Sequence, residues 1–197
     1  PGGKGTQLAQ AMRGEGILVL NEKIPDRAKI LLQNVERMGI VNAVVTNADP
    51  SELSERLEGY FDKVLVDAPC SGEGMLRKEE AAAENWSIAN VEMCAARQKK
   101  ILESAAKLVA PGGMLVYSTC TFSEEEDERN AEWFVKEFPQ FELLSQRKIY
   151  PHREKGEGHF AALFRRCDGE KIRYKAGKPI ADKRNINTWK EFEGEFL

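Results

Sequence analysis

The chain has 197 residues, of which 42% are apolar and 31% charged, and its formal net charge is −3. These proportions exclude a disordered chain, and no apolar run approaches the roughly 20 residues that a membrane-spanning helix needs. Four cysteines in a chain of this length do not form the framework of a small disulfide-rich protein, so we expect one folded domain in the reducing environment of the cytoplasm.

The first 67 residues alternate short apolar runs with amphipathic segments. Their periodicity predicts three strands separated by two helices: strand 17–20, helix 25–38, strand 41–46, helix 51–58 and strand 63–67. Pro25 suits the first position of its helix and Gly39 suits its end. Ser51 is the expected N-cap of the acidic second helix.

The same alternation continues through the rest of the chain. The predicted elements are helix 88–109, a turn at Pro111–Gly113, strand 114–118, helix 124–138, strand 141–144 and strand 159–166. Strands separated by helices predict an α/β fold with a mostly parallel, doubly wound sheet. Ligands of such sheets bind at the carboxyl ends of the strands, so the residues that follow each strand are the candidate site.

Charge is distributed unevenly. Residues 1–146 contain 16 Lys/Arg and 24 Asp/Glu, whereas residues 147–190 contain 13 Lys/Arg and only 5 Asp/Glu. A basic stretch of this kind attracts a polyanion such as RNA. A solvated basic surface is the alternative, and composition alone favours it.

The chain begins with a glycine-rich segment, Pro1–Thr6, which we expect to be a loop before a helix over residues 7–12. Glycines let a backbone approach a ligand closely. The segment is not a phosphate-binding Walker loop, because Lys4 is followed by Gly5 rather than by Ser or Thr. Since such a loop ordinarily follows the central strand of the sheet, we expect the chain to be a fragment that lacks this first strand.

Two acidic residues follow the first and second predicted strands. Glu22 comes after strand 17–20, where a carboxylate commonly accepts hydrogen bonds from ribose hydroxyls; a solvated side chain is the alternative. Asp49 follows strand 41–46, where it either meets an adenine amino group or caps the helix that starts near Ser51.

Two cysteines follow the next two strands. Cys70 lies in the segment Asp67–Met75, which combines an acid, a proline, a thiol and two glycines, and Cys120 lies in Ser118–Phe122. Because both segments reach the same edge of a parallel sheet, they predict thiol chemistry at one site. A metal pair is the competing interpretation, but neither cysteine has a Cys-x-x-Cys partner or a nearby histidine, so we expect no metal.

Together these motifs resemble those of the Nop/Sun family of RNA cytosine-C5 methyltransferases. In family order the matching segments are Pro1–Lys4, Asp67–Gly74 and Ser118–Thr121, and the resemblance covers about residues 1–166. Asn21-Glu22 and Gly156–Phe160 look most like the bacterial RsmF-type branch, whose members methylate 16S ribosomal RNA of the small ribosomal subunit. The resemblance implies a Rossmann-like class I fold that uses S-adenosylmethionine.

The resemblance also implies roles for individual residues. Pro1, Gly2, Gly3 and Lys4 would line the methionine end of S-adenosylmethionine, Glu22 would hold the ribose, Arg27 would lie near the cofactor, Asp49 would lie by the adenine, and Asp67 would lie near the methyl donor and the target base. Cys120 would be the nucleophile that adds to cytosine C6, and Cys70 would assist its release. The alternative is attack by Cys70, the cysteine of a Pro-Cys motif, as in DNA cytosine methyltransferases.

The predicted organisation is a catalytic domain over residues 1–167, followed at 168–197 by a basic linker and the start of an RNA-binding region. Two other functions remain open at the level of sequence. One is a catalytically silent RNA-binding or ribosome-assembly module, which would have no need of two cysteines. The other is a nucleotide-binding dehydrogenase, which the absence of a G-x-G-x-x-G motif after a strand argues against.

Overall fold

A computed structural model describes residues 1–76 and 86–170, together with residues 187, 190, 191 and 194. The elements in chain order are α1 Gly3–Met12, β1 Leu18–Asn21, α2 Pro25–Arg37, β2 Ala43–Thr46, α3 Pro50–Arg56, β3 Phe61–Asp67, a short 3-10 helix Glu73–Met75, α4 Ile88–Leu108, β4 Val109–Thr119, α5 Glu128–Glu137, β5 Phe141–Ile149 and β6 His159–Arg166. The predicted α/β alternation is confirmed.

The strands form two sheets. β1 and β2 pair in parallel, and the four-stranded sheet has the order β3-β4-β6-β5. Within it β3 and β4 are parallel, whereas β6 is antiparallel to both β4 and β5. The parallel pairs are those joined through helices, so the carboxyl ends of β3 and β4 meet at one edge, as the sequence predicts.

The main core lies between the four-stranded sheet and helices α4 and α5. Phe134 of α5 is fully buried, and its ring centroid lies 4.8 Å from that of Phe164 and 5.0 Å from that of Phe141. Tyr117 and Leu115 of β4 are also fully buried. This packing fixes β4, and therefore the position of the loop that follows it.

Several predicted boundaries shift in the structure. Helix α1 begins at Gly3 rather than at Gln7, so most of the expected glycine loop forms its first turn. The predicted turn at Pro111–Gly113 is instead an irregularity inside β4. Phe61 and Lys63 of β3 pair with Val109 and Met114 of β4, so four residues of β4 lie opposite a single residue of β3. Helix α5 begins at Glu128, four residues later than predicted, and β5 extends to Ile149.

Of the two predicted regions, the basic tail at 168–197 falls mostly outside the described residues, so that boundary stays a prediction. Within residues 1–76 and 86–170, no helix combines the length and the apolar character needed to cross a membrane.

Candidate functional site

The two strand-end cysteines lie side by side. The Sγ atoms of Cys70 and Cys120 are 3.0 Å apart, and the backbone N–H of Cys120 donates to Cys70 Sγ at 3.3 Å. Both are free thiols, and both are half-buried rather than sealed in the core. The structure therefore brings together the two residues for which the sequence predicts shared thiol chemistry.

Local backbone contacts explain why the two loops meet. Asp67 and Ser118 are register partners at the ends of β3 and β4, and Ala68 N–H donates to the Ser118 carbonyl at 2.9 Å. Further along, Gly74 N–H donates to the Cys120 carbonyl at 2.9 Å. A Cβ atom at Gly74 would lie 2.8 Å from that carbonyl oxygen, so this close approach requires glycine.

The pKa values of the two thiols are shifted in opposite directions. The contact with Cys70, in which either sulfur can be the donor, lowers the pKa of Cys120. The nearby Lys4 charge acts in the same direction, and burial and the Asp67 charge oppose it. The same contact, together with burial, raises the pKa of Cys70. The pair therefore favours a thiolate on Cys120 and a proton on Cys70, and a thiolate is the nucleophilic form of cysteine.

Lys4 and Asp67 join the amino end of α1 to the cysteine site. Lys4 Nζ lies 2.7 Å from Asp67 Oδ1, and both side chains are partly exposed. Gly2, at the N-cap of α1, has a φ of 104°, and a Cβ atom there would lie 2.9 Å from Leu31 Cδ1. A Cβ atom at Gly3 would meet nothing within 4 Å, so the first turn of α1 borders open space.

The remaining part of this segment is tied to α2. The Pro1 carbonyl accepts a hydrogen bond from Asn34 Nδ2 at 2.9 Å. Residues Pro1–Lys4 therefore extend from α2 to the end of β3.

Glu22 and Arg27, both predicted to lie near a cofactor, contact each other. Arg27 Nε donates to Glu22 Oε2 at 2.8 Å, and Ile24 N–H donates to Glu22 Oε1 at 3.0 Å. Each carboxylate oxygen keeps acceptor capacity. Glu22 is therefore held at the carboxyl end of β1, where its oxygens can still accept hydrogen bonds from donors such as ribose hydroxyls.

Asp49 is the N-cap of α3, and the expectation of Ser51 in that position is wrong. Asp49 Oδ1 accepts from the backbone N–H and the hydroxyl of Ser51, while Lys23 Nζ lies 2.6 Å from Oδ2. The contact with Lys23 and, to a smaller extent, the hydrogen bonds from Ser51 hold the pKa of this carboxyl well below its usual range. The capping alternative is thus observed, and contact with an adenine stays a prediction.

The basic stretch is less free than its composition indicates. Six Lys/Arg residues lie between positions 147 and 170, and four of them form ion pairs: Arg147 with Glu154, Lys148 with Asp127 and Glu128, Arg165 with Glu142, and Arg166 with Asp168. Residues 171–186 lie outside the described part of the chain.

A group of buried polar side chains beneath the cysteine loops was missed by sequence reasoning. Gln98, Glu126, Asp127 and Asn130 are all fully buried. Residues 124–128 are all acidic and lie at the start of the predicted helix 124–138. Helical periodicity could not have identified Glu126 and Asp127, because both lie in the turn before α5.

The other two cysteines are separate from this site, since Cys94 is buried in α4 and Cys167 is exposed after β6. Within the described ranges, no group of three or more His, Cys, Asp or Glu side chains is arranged to hold a metal ion.

Comparison with known proteins gives consistent matches. The family model described as 16S rRNA methyltransferase RsmB/F matches residues 1–165. The ribosomal RNA small subunit methyltransferase F of Vibrio vulnificus is 42% identical over 183 residues, covering 84% of this chain and 39% of its own length. The chain therefore spans about two fifths of the length of this relative.

Solved structures agree. The crystal structure of PH0851 superposes with a TM-score of 0.81 at 34% identity, covering 83% of this chain and 40% of the other. NSun6 from Pyrococcus horikoshii, solved with SFG, superposes with a TM-score of 0.77 at 28% identity, covering 86% of this chain and 46% of the other.

Proposed function

The chain belongs to the 16S rRNA methyltransferase RsmB/F family, and on that premise we propose that its protein methylates C5 of a cytosine in 16S ribosomal RNA, in the cytoplasm. The observation that carries the choice of reaction is the Cys70–Cys120 pair, with its Sγ atoms 3.0 Å apart at the carboxyl edge of the sheet. Cytosine C5 is a poor nucleophile until a thiolate adds to C6, so this reaction requires an activated cysteine.

The cofactor is S-adenosylmethionine, which supplies an electrophilic methyl group. The residues present fit it: Glu22 offers acceptors at the end of β1, and Gly3, next to Lys4 in the first turn of α1, borders open space. We propose that Pro1, Gly2, Gly3 and Lys4 line its methionine end, that Glu22, positioned by Arg27, holds the ribose hydroxyls, and that Asp49 lies by the adenine.

Cys120 is the proposed nucleophile, because its contact with Cys70 lowers its pKa. Its sulfur forms a bond to C6, and the electron pair of the C5–C6 double bond becomes available at C5 for the methyl group. A base then removes the C5 proton, the double bond re-forms, and the Cys120 thiolate leaves. Cys70 lies in contact with Cys120 and is the proposed group that assists this elimination.

Asp67 is the proposed partner of the cytosine ring. Its Oδ1 lies 2.7 Å from Lys4 Nζ. We propose that the Asp67 carboxyl group forms a hydrogen bond at N3 of the cytosine, which makes C6 more susceptible to addition of Cys120. The target base has to leave its stack to reach the two thiols.

Covalent trapping tests this function and the roles of both cysteines. The full-length protein is incubated with S-adenosylmethionine and 16S ribosomal RNA that carries 5-fluorocytidine, and the cross-linked peptide is identified by mass spectrometry. Fluorine at C5 cannot leave as a proton, so the thiol adduct persists. We expect the adduct on the Cys120 peptide, its loss in Cys120→Ala, and accumulation of an adduct with unmodified RNA in Cys70→Ala.

Other outcomes point elsewhere. An adduct on Cys70 would retain the chemistry but exchange the roles of the two cysteines, as in the DNA-type mechanism. Cofactor binding without any adduct or methyl transfer would favour a silent RNA-binding module. The second result would overturn the proposed reaction, whereas the first would overturn only the assignment of the nucleophile.

A further inference from the structure

The buried polar group beneath the two cysteine loops is built around Gln98. This fully buried amide of α4 makes four hydrogen bonds. Its Oε1 accepts from Tyr117 Oη and from Asn130 Nδ2, each at 2.9 Å, and its Nε2 donates to the Pro69 carbonyl at 2.9 Å and to Glu126 Oε2 at 2.7 Å. All four bonds together fix the orientation of the amide, so its donor end has to face Glu126.

Glu126 and Gln98 hold the backbone on both sides of Cys70. Gln98 binds the carbonyl of the preceding residue, Pro69, and Glu126 Oε2 accepts the N–H of the following residue, Ser71, at 3.0 Å. Cys70 itself makes no contact with either side chain among these bonds. The position of its sulfur is therefore set by side chains that form hydrogen bonds with the backbone of Pro69 and Ser71.

Cys120 is held in the same manner. The Thr119 hydroxyl donates to Asp127 Oδ1 at 2.5 Å, and the hydroxyls of Thr121 and Ser71 lie 2.9 Å apart. Ser71 thus links the two loops, because its N–H is bound by Glu126 and its hydroxyl contacts the residue after Cys120.

A buried carboxylate is a costly way to fill a core. Burial raises the pKa of Glu126, while its hydrogen bonds with Ser71 and Gln98 act in the opposite direction. The hydrogen bonds of its carboxylate go to Ser71 N–H and to the Gln98 amide. The side chain therefore acts on the Cys70 loop rather than on the packing of α5 against the sheet.

We propose that Glu126 is a positioning residue for the cysteine pair: by accepting the Ser71 N–H while Gln98 holds Pro69, its carboxylate keeps Cys70 Sγ in hydrogen-bond contact with Cys120 Sγ. The catalytic meaning of this role rests on the proposed methyltransferase function. Its physical consequence, a lowered pKa of the Cys120 thiol, does not depend on that function.

Three substitutions separate positioning from simple charge. Glu126→Ala removes both the charge and the acceptor, and Glu126→Asp keeps the charge but shortens the reach by one methylene. Glu126→Gln removes the charge and can keep an oxygen where Oε2 accepts both donors. The Glu126 charge itself raises the pKa of Cys120, as does Asp67, while Cys70 and Lys4 lower it.

The measurement is the rate of Cys120 alkylation by iodoacetamide against pH, followed on its peptide by mass spectrometry in the full-length protein. We expect Glu126→Ala and Glu126→Asp to raise the pKa of Cys120 by about one unit, which slows alkylation about tenfold below that pKa. Glu126→Gln should leave the pKa unchanged or slightly lower. Glu124→Ala, on the exposed side of the same turn, is the matched control.

Charge alone would give the opposite order, with a lower pKa in Glu126→Ala and no change in Glu126→Asp, and that result overturns the proposal. If Glu126→Ala fails to fold by circular dichroism, the comparison of Glu126→Asp with Glu126→Gln still decides the question. Methyl transfer measured in parallel should show a lower kcat at unchanged KM for the cofactor. The expected pKa shifts without any methyl transfer would support positioning while rejecting the proposed reaction.

Discussion

Replacing Lys148 by methionine gives a pH-dependent loss of stability that the structure allows us to work out. Lys148 is only 8% exposed in its side chain, and its Nζ lies 3.0 Å from Asp127 Oδ2 and 2.7 Å from Glu128 Oε2. It also donates to the Phe122 carbonyl at 3.1 Å. Methionine has a similar length but no charge, so Lys148→Met leaves Asp127 buried without its cation.

The direction of this pH dependence follows from the protonation of Asp127. Burial raises the pKa of Asp127 to about 7 from its ordinary 3.8. The folded wild type therefore holds this proton up to about pH 7 and the unfolded chain does not, so the stability contributed by the proton is lost between about pH 4 and 7. Above pH 7 the folded carboxyl ionises against Lys148 and the loss stops. Without Lys148 the carboxyl stays protonated, and stability falls further by up to about 1.4 kcal/mol per pH unit.

The free energy of unfolding in urea, measured for both proteins from pH 5.5 to 8.5 (about 1.5 units on each side of the Asp127 pKa), tests this reasoning. Below pH 7 we expect Lys148→Met to cost about 2 kcal/mol, for the lost contacts with Glu128 and the Phe122 carbonyl. Above pH 7 the difference should widen. Lys136→Met, on the exposed side of α5, should stay within about 0.5 kcal/mol of wild type at every pH. A difference that is constant across the range would refute the assignment of a protonated Asp127.

Three further predictions concern the core, the cofactor and the thiols. Phe134→Ala should lower the free energy of unfolding by about 3–5 kcal/mol, because its buried ring packs on three others; a loss below about 1 kcal/mol in urea titration would contradict that packing. Glu22→Gln should weaken S-adenosylmethionine binding about tenfold or more in calorimetry, since it loses a charge-assisted acceptor, and an unchanged Kd would count against the ribose role. Hydrogen peroxide should convert the Cys70 and Cys120 thiols into a disulfide, with each equivalent of peroxide reduced to two waters, and dithiothreitol should restore the thiols. Intact thiols in the mass spectrum after peroxide would speak against their 3.0 Å contact, and Cys70→Ala is the control that cannot form the bond.

Periodicity located the elements because it reports burial directly. The predicted strands 17–20 and 63–67 correspond to β1 Leu18–Asn21 and β3 Phe61–Asp67, and the helix from Pro25 ends at Arg37, just before Gly39. Boundaries that depend on a single side-chain contact were less predictable. Asp49 and Ser51 are both good N-caps in sequence, and only the hydrogen bond from Ser51 N–H to Asp49 Oδ1 shows which of them serves.

The sequence by itself determined the α/β class, the family and the pairing of Cys70 with Cys120, because parallel strands bring the residues after each strand to one edge. It also placed Lys4, Glu22 and Asp67 among the residues to inspect. These features depend on residue type and on order along the chain, and the sequence contains both.

Only the tertiary structure decided which cysteine has its pKa lowered by its neighbours and which side chains hold the two cysteine loops. The contacts that matter join residues far apart in sequence: Ser71 N–H to Glu126, and Gln98 to Pro69. Nothing in the acidic run at 124–128 indicates which carboxylate turns inward, since that depends on how α4 and α5 pack against β4. A hydrogen bond requires its two atoms within about 3 Å, and only the folded chain sets that distance.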